Sequence, residues 1–187
     1  SDKLRPDAAA TLAYFKEQGV TVKVISGDNA QAAAQVSRRA GVDRADRWVD
    51  LSALPEGETD WGRMAEQHTV FGRVTPGQKR ALIQGLQARG HTVAMLGDGV
   101  NDVLALKDAD CSVAMAAGSE AAQHVSQMVL LDSNFDALPH IVREGRRVIN
   151  NIERSASLFL VKNIFSFLVS LVLLFLPAVY PLVPAQI

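Results

Sequence analysis

Apolar and polar positions alternate between two periods over the first 130 residues. "RPDAAATLAYFKEQG" (5–19) opens on a proline, sets Leu12 and Phe15 three apart among good helix formers, and stops at Gly19, so it predicts a helix. "VTVKVIS" (20–26) follows as a β-branched run and predicts a strand. After the break at "GDN", "AQAAAQVSRRAG" predicts a second helix closed by Gly41. Residues 43–60 are rich in Asp, Pro and Gly and are expected to be loop, with Trp48 and Trp61 as packing residues rather than a pair that stacks on bases. "TVFGRV" predicts a short strand, "PGQKRALIQGLQARG" a helix with Pro76 near its start, and "HTVAML" a buried strand. "CSVAM" and "MVLL" are two more apolar strand candidates. Strands alternating with helices predict an α/β class, Rossmann-like, with a parallel sheet covered on both faces. No internal repeat or low-complexity tract is present.

The pattern changes near the C-terminus. After Arg154 the only side chain charged at neutral pH is Lys162, and residues 158–176, "LFLVKNIFSFLVSLVLLFL", are apolar at all but four positions. As a helix this stretch is about 28 Å long, close to the ~30 Å hydrocarbon core of a bilayer. Its apolar residues, at roughly −0.3 to −0.6 kcal/mol each on an insertion scale, outweigh about +3 kcal/mol for Lys162, which lies near one end and can snorkel. The alternative is a buried core helix. "REGRRVINNIER" before the span carries four Arg against two Glu, and "PAVYPLVPAQI" after it carries no charge, so the positive-inside tendency places the preceding part in the cytoplasm.

Composition narrows the partners. The 187 residues carry a formal net charge of −1, which removes a bulk electrostatic case for nucleic-acid binding. The lone Cys111 cannot form an internal disulfide and suits a reducing compartment. The chain opens at Ser1 without a methionine, and is expected to be a fragment.

The candidate chemistry lies in two glycine-bearing loops. In parallel α/β sheets ligands gather at the carboxyl ends of strands, where "SGDN" (26–29) and "GDGVND" (97–102) both fall. If the strands before them are near each other, Ser26, Asp28, Asp98 and Asp102 converge on one rim, and that carboxylate cluster needs a counter-ion. Oxygen ligands select a hard cation; Mg²⁺ bound by one or two carboxylates while it grips phosphate is the usual arrangement. Gly97 and Gly99 would let the backbone approach that phosphate. Taken singly, a GDG turn is common and Lys79 is by default a solvated helix residue. The order strand–SGD, then P-x-x-K, then strand–GDGVND is what carries weight.

These motifs resemble the haloacid-dehalogenase-type phosphorylation domain of P-type cation-transporting ATPases: "SGDN" its second motif, "RVTPGQK" its lysine motif, "GDGVND" its metal motif. "DKLRPDA" resembles the hinge segment near nucleotide, and "NNIER" the stalk entering the fifth membrane helix. The resemblance implies ATP and Mg²⁺ as cofactors, with Asp98 as metal ligand and Lys79 facing the transferring phosphoryl group. It also implies Ser26, Gly27 and Asn101 as hydrogen-bond donors, Asp102 as an orienting group, Asp28 facing the site, and Asp2 and Arg5 near nucleotide. Asn163 matches an ion-ligand position, while Ser166 falls where reticulum-type calcium pumps place a glutamate; both are candidates for the transported ion. The implied organisation is a partial cytoplasmic phosphorylation domain (1–138), a stalk (139–157), a transmembrane helix (158–176) and an exoplasmic loop leading to the next membrane segment (177–187). The implied partners are ATP, a transported cation, the bilayer and the remaining domains of the pump.

The chain departs from that family at one place that matters most. No "DKTGT" occurs, so the aspartate that would receive the phosphoryl group is not among these residues, and the chain alone is expected to be inactive. "GDGVND" continues as "VLALKDAD" where many members have Ala-Pro, a variant resembling a bacterial calcium-type subgroup. The rival readings are a soluble phosphatase of the same superfamily and a non-catalytic, membrane-anchored Mg²⁺ or nucleotide-binding remnant.

Overall fold

Caps and glycines set the helix ends that the sequence pattern anticipates. The structure is a computed structural model describing residues 8–53, 59–132 and 134–175. Helix α1 spans Ala8–Glu17 and α2 spans Ala30–Ala40. Asn29 caps α2, its side-chain oxygen accepting from the amides of Gln31 and Ala32, and Gly41 ends it at φ +90°, a left-handed conformation that costs a residue with a Cβ. Helix α4, Pro76–Ala88, opens on a capping box: the Thr75 hydroxyl accepts from the Gln78 amide while the Gln78 side chain accepts from the Thr75 amide.

The strands are shorter than their apolar runs. Strand β1 is Val24–Ile25, β3 is Val70–Gly72 and β4 is Ala94–Gly97; β5 is Cys111–Met115 and β6 is Met128–Leu130. A run becomes a strand only where a neighbour supplies ladder hydrogen bonds. Residues 20–23 have none, and Val20 is half exposed. All strand pairs are parallel, as predicted. Among the described residues they form two three-stranded sheets, ordered β1-β3-β2 and β4-β5-β6, rather than one continuous sheet. Strands β1 and β4, which lead into the two glycine loops, each have one hydrogen-bonded neighbour.

Residues 43–60 correct the sequence reading. Strand β2, Trp48–Asp50, lies within them and pairs in register with β3, Val49 opposite Phe71, followed by a 3₁₀ turn at Leu51–Ala53. The short aromatic and β-branched run is hidden between turn residues, and only β3 reveals it as a strand. Trp48 is 43% exposed and is not a core residue. Trp61 does pack, beside Leu51, Phe71 and Leu82, at the start of α3 (Trp61–Gln67).

Helix α4 joins the two halves. Leu82 packs under the first sheet with Leu51, Phe71 and Val74, Ile83 packs under the second with Val93, Met95 and Leu106, and Leu86 touches both clusters. Burying Leu82 to 1% exposure contributes about 2 kcal/mol. Such burial fixes the helix that carries Lys79.

The chain divides into two compact units, Ser1–Pro139 and His140–Ile187. Helix α7 is continuous over Ala137–Phe175. It contains a window of mean hydropathy 2.3, none of it buried, so it is long and apolar enough to cross a membrane by length and composition. Phe159, Phe165 and Phe175 are all more than half exposed.

Candidate functional site

The metal-motif loop is built around a buried ion pair. Lys79 lies one turn into α4 and is 9% exposed; its Nζ is 2.6 Å from Asp102 Oδ1. Asp102 Oδ2 accepts from the Gly99 amide at 3.1 Å, so one carboxylate ties the lysine helix to the loop bearing Asp98. Asp102 ends a 3₁₀ turn, Val100–Asp102, that leads into α5, Val103–Asp108. Breaking a buried pair by removing one partner costs about 3–5 kcal/mol. The pair is thus a structural element as well as a candidate chemical one.

This arrangement changes two expectations. The predicted carboxylate cluster is absent: among the described residues no three His, Cys, Asp or Glu side chains stand close enough to hold a metal, and the Asp102 charge is already offset by Lys79. Gly97 has a structural task beyond the one predicted. A Cβ there would lie 2.7 Å from Asp102 Cβ and 3.0 Å from its Cγ, so the glycine makes room for the buried aspartate. At Gly99 an added Cβ would make only ordinary contacts, 3.5 Å from Asp102 Oδ2 and 3.8 Å from the Asn101 amide nitrogen.

Asp98 and Asn101 stand on the outer side of the loop, both exposed. The donor set suits Mg²⁺: an exposed carboxylate at a strand end without a protein cage matches an ion that keeps waters and phosphate oxygens in its shell. Asp98 is also held from behind. Its carbonyl accepts from the Ser119 amide at 2.7 Å, and Gly118 packs on its backbone.

The SGDN loop is held through its backbone. Arg73, at φ +51°, donates its amide to the Asp28 carbonyl at 2.8 Å, and Val74 donates to the Ser26 carbonyl at 3.1 Å. Gly72 permits this approach, because a Cβ there would fall on the backbone of Ala30. The Ser26 hydroxyl donates to Asp28 Oδ2 at 3.2 Å and accepts from the Asp28 amide at 3.1 Å. Gly27 and Asp28 are exposed, with open space around Gly27. Since Thr75 follows Val74 and caps α4, the same segment that grips Ser26 launches the helix of Lys79. The SGDN and GDGVND loops share no direct hydrogen bond or ion pair.

A second clamp fixes α4 to α5. Arg80 Nε and Gln84 Nε2 each donate to Asp108 Oδ2 at 2.6 Å, and Gln87 donates to the Asp108 carbonyl at 2.8 Å. The Arg80 guanidinium holds the Asp108 carboxyl below the usual carboxylate range. Asp110 is lowered too, by the Val93 amide that its Oδ2 accepts from at 2.8 Å, with Gln87 adding to it.

Asp2 and Arg5 lie outside the described residues. Asn163 and Ser166 lie three apart on α7, a spacing that places them on one helix face. Asn163 is exposed, and the Ser166 carbonyl accepts from the Ser170 hydroxyl at 2.9 Å. The sequence reading missed the Thr75–Gln78 box, although T-P-x-Q is legible, and missed Gly72, Gly118 and Ser119, which no periodicity marks.

A parallel α/β unit that seats a lysine and aspartates at its strand ends is the frame of haloacid dehalogenase-like proteins. The haloacid dehalogenase-like hydrolase family matches residues 1–110, and again 79–142, and the chain belongs to it. Among relatives, "Calcium-transporting ATPase CtpE" of Mycobacterium bovis is 56% identical over 169 residues, covering 90% of this chain and 21% of that protein. "Probable cation-transporting ATPase exp7" of Streptococcus pneumoniae is 46% identical over 171 residues, 91% of this chain and 22% of that one. The chain thus spans about a fifth of the length of these relatives. A solved zinc-transporting PIB-type ATPase in an E2.Pi state shares the fold, with a TM-score of 0.65 at 24% identity over 82% of this chain and 21% of that one. The catalytic domain of the CPx-ATPase CopB-B aligns with a TM-score of 0.59 at 25% identity over 76% of this chain and 46% of that one. The resemblance to P-type cation-transporting ATPases read from the motifs therefore holds.

Proposed function

We propose that this chain is the C-terminal half of the phosphorylation domain of an ATP-driven cation pump, with its stalk (139–157) and a membrane helix (158–176). The observation that carries the reading is the buried Lys79–Asp102 pair tied to the loop of Asp98. One of the three N–H groups of Lys79 is committed to Asp102, leaving two for the oxygens of a transferring phosphoryl group. Ser26 hydroxyl, Gly27 amide and Asn101 amide supply neutral donors to the same oxygens, and Asp28 orients the Ser26 hydroxyl. Asp98 would hold Mg²⁺, which offsets charge on those oxygens when bound. Asp2 and Arg5 contact nucleotide in this reading.

The acceptor aspartate must come from elsewhere in the polypeptide. Strands β1 and β4 each have one ladder partner and each leads into a site loop, so a strand between them would complete one sheet and bring its carboxyl end between SGDN and GDGVND. The half-open sheets are then what a domain missing that strand should show.

The exposed apolar surface of α7 supports membrane residence over the soluble-phosphatase reading. The Arg-rich segment before the span supports a cytoplasmic α/β unit by the positive-inside tendency. Asn163 and Ser166 on one face of that helix are proposed to line the ion path, and the names of the relatives make Ca²⁺ the favoured cation.

The test is ATP hydrolysis by the full-length protein in liposomes against a panel of cations, Ca²⁺ first. Asp98→Asn is expected to cut phosphoenzyme formation about a hundredfold and to change its Mg²⁺ dependence; an unchanged Mg²⁺ response refutes the ligand assignment. Asn163→Ala is expected to shift the affinity for the stimulating cation, and an unshifted affinity removes Asn163 from the ion path.

A further inference from the structure

We infer that the β5 exit loop, residues 116–119, is the positioning element for Asp98, with Gly118 as the residue that sets where the Asp98 carboxylate stands. The inference rests on the proposed role of Asp98 as the Mg²⁺ ligand and assigns a task to residues that the motif chemistry leaves idle.

Asp98 is exposed and lies in the irregular step between β4 and the 3₁₀ turn, a setting in which a side chain is poorly fixed by its own surroundings. Its backbone is fixed from the neighbouring strand instead. A Cβ on Gly118 would lie 2.5 Å from the Asp98 carbonyl oxygen, 2.9 Å from its Cα and 3.0 Å from its carbonyl carbon. These are backbone atoms, so any side chain at 118 must push the Asp98 peptide away. The next residue then holds the peptide in place, the Ser119 amide donating to the Asp98 carbonyl at 2.7 Å. One residue therefore permits the approach and the following one locks it.

The loop is itself braced. Gln123 on α6 (Glu120–Val125) donates from Nε2 to the carbonyls of Ala116 at 3.0 Å and Gly118 at 3.3 Å. The Gly118 amide bonds back to Met115 at 2.9 Å, and the Ala116 amide to Leu130 at 3.0 Å. These bonds tie the loop to β5 and β6, and β5 pairs in parallel with β4 immediately before Asp98, Gly97 opposite Ala114. The position of Asp98 is thus copied from the second sheet through Gln123, Gly118 and Ser119. Hydrogen-bonded groups behind a metal ligand tune affinity although they never touch the metal.

The test compares Gly118→Ala, Gln123→Ala and Asp98→Asn in the full-length protein. It reads Mn²⁺ binding from loss of the free-ion paramagnetic resonance signal, the Mg²⁺ concentration for half-maximal phosphorylation, the KM for ATP, and the melting temperature. The part of Mn²⁺ binding that Asp98→Asn abolishes defines the site. Gly118→Ala is expected to weaken that part about tenfold and raise the Mg²⁺ requirement alike, with the KM for ATP unchanged. Gln123→Ala introduces no clash, so it reports on the loop even if Gly118→Ala does not fold, and is expected to weaken the same part about threefold. If Asp98→Asn abolishes a component that Gln123→Ala and a folded Gly118→Ala leave untouched, the positioning role is wrong and the ligand assignment stands. If Asp98→Asn abolishes nothing, the ligand assignment has failed, and the inference with it.

Discussion

The loops after β1 and β4 look alike in sequence and are held by different physics. SGDN is braced through its backbone, by the amides of Arg73 and Val74, and its side-chain bonds are local: Ser26 with Asp28, and Asn29 with the Gln31 and Ala32 amides that it caps. GDGVND turns inward: Asp102 is 7% exposed, pairs with Lys79 and fills the space that Gly97 leaves open. Outside the Asn29 cap, the first loop can change its side chains at little cost to the fold, so Ser26 and Asp28 are free to serve a ligand. The second has fused stability with chemistry, because the charge that would face a phosphoryl group is also the counter-charge of a buried carboxylate.

The largest expected effect breaks that fusion. Asp102→Leu leaves the Lys79 ammonium buried and unpaired and is expected to cost about 3–5 kcal/mol in chemical unfolding of the detergent-solubilised protein. Ser26→Ala is expected to stay within about 1 kcal/mol. Adding Lys79→Met to Asp102→Leu should recover part of the loss, since two apolar side chains of suitable volume replace a buried pair without penalty. Equal costs for Asp102→Leu and Ser26→Ala would erase the distinction between the loops. A middle-sized effect tests the backbone bracing of SGDN: Gly72→Ala drives a methyl group into Ala30 and is expected to cost about 1–3 kcal/mol. Gly27→Ala, with open space around it, should cost less than about 1 kcal/mol. A Gly72→Ala protein as stable as the wild type would mean that the β3 exit does not grip the first loop.

What the sequence made legible follows the same divide. Helices α1, α2 and α4 were readable because their ends are local, Gly41 and the Pro76 start being decided by neighbouring residues alone, whereas the short α3, α5 and α6 carry no such signal. The site motifs were readable because their spacing is fixed by strand–loop–helix geometry. Strand β2 was not, since Trp48–Asp50 is a strand only because β3 lies beside it. The burial of Lys79 was equally hidden, because a lysine in a first turn is solvated unless an aspartate twenty-three positions away closes over it. The work of Gly118 depends on the backbone of Asp98 in a different strand exit, a relation that no window along the chain contains.

The smallest expected effect is acid sensitivity in the support of the second loop. Asp108 is held ionised by Arg80, first through their hydrogen bond and then by its charge, with Gln84 adding to it, and Asp110 by the Val93 amide and Gln87. Both carboxyls titrate below their ordinary value of 3.8, so each contributes stability that is fully present above that value and is lost as pH falls through the lower folded value. In unfolding midpoints followed from about pH 6 to about pH 2, wild type should exceed Asp108→Asn at the upper end, and the gap should close as the wild-type carboxyl takes up its proton. Replacing Asp108 also removes a charge-assisted bond between α4 and α5, so the closing gap measures how firmly the lysine helix is fastened to the metal-motif loop. A gap that is constant across the range would mean that Asp108 is not paired in solution, and the firmness of the second loop would then rest on the Lys79–Asp102 pair and the Ser119 amide on Asp98.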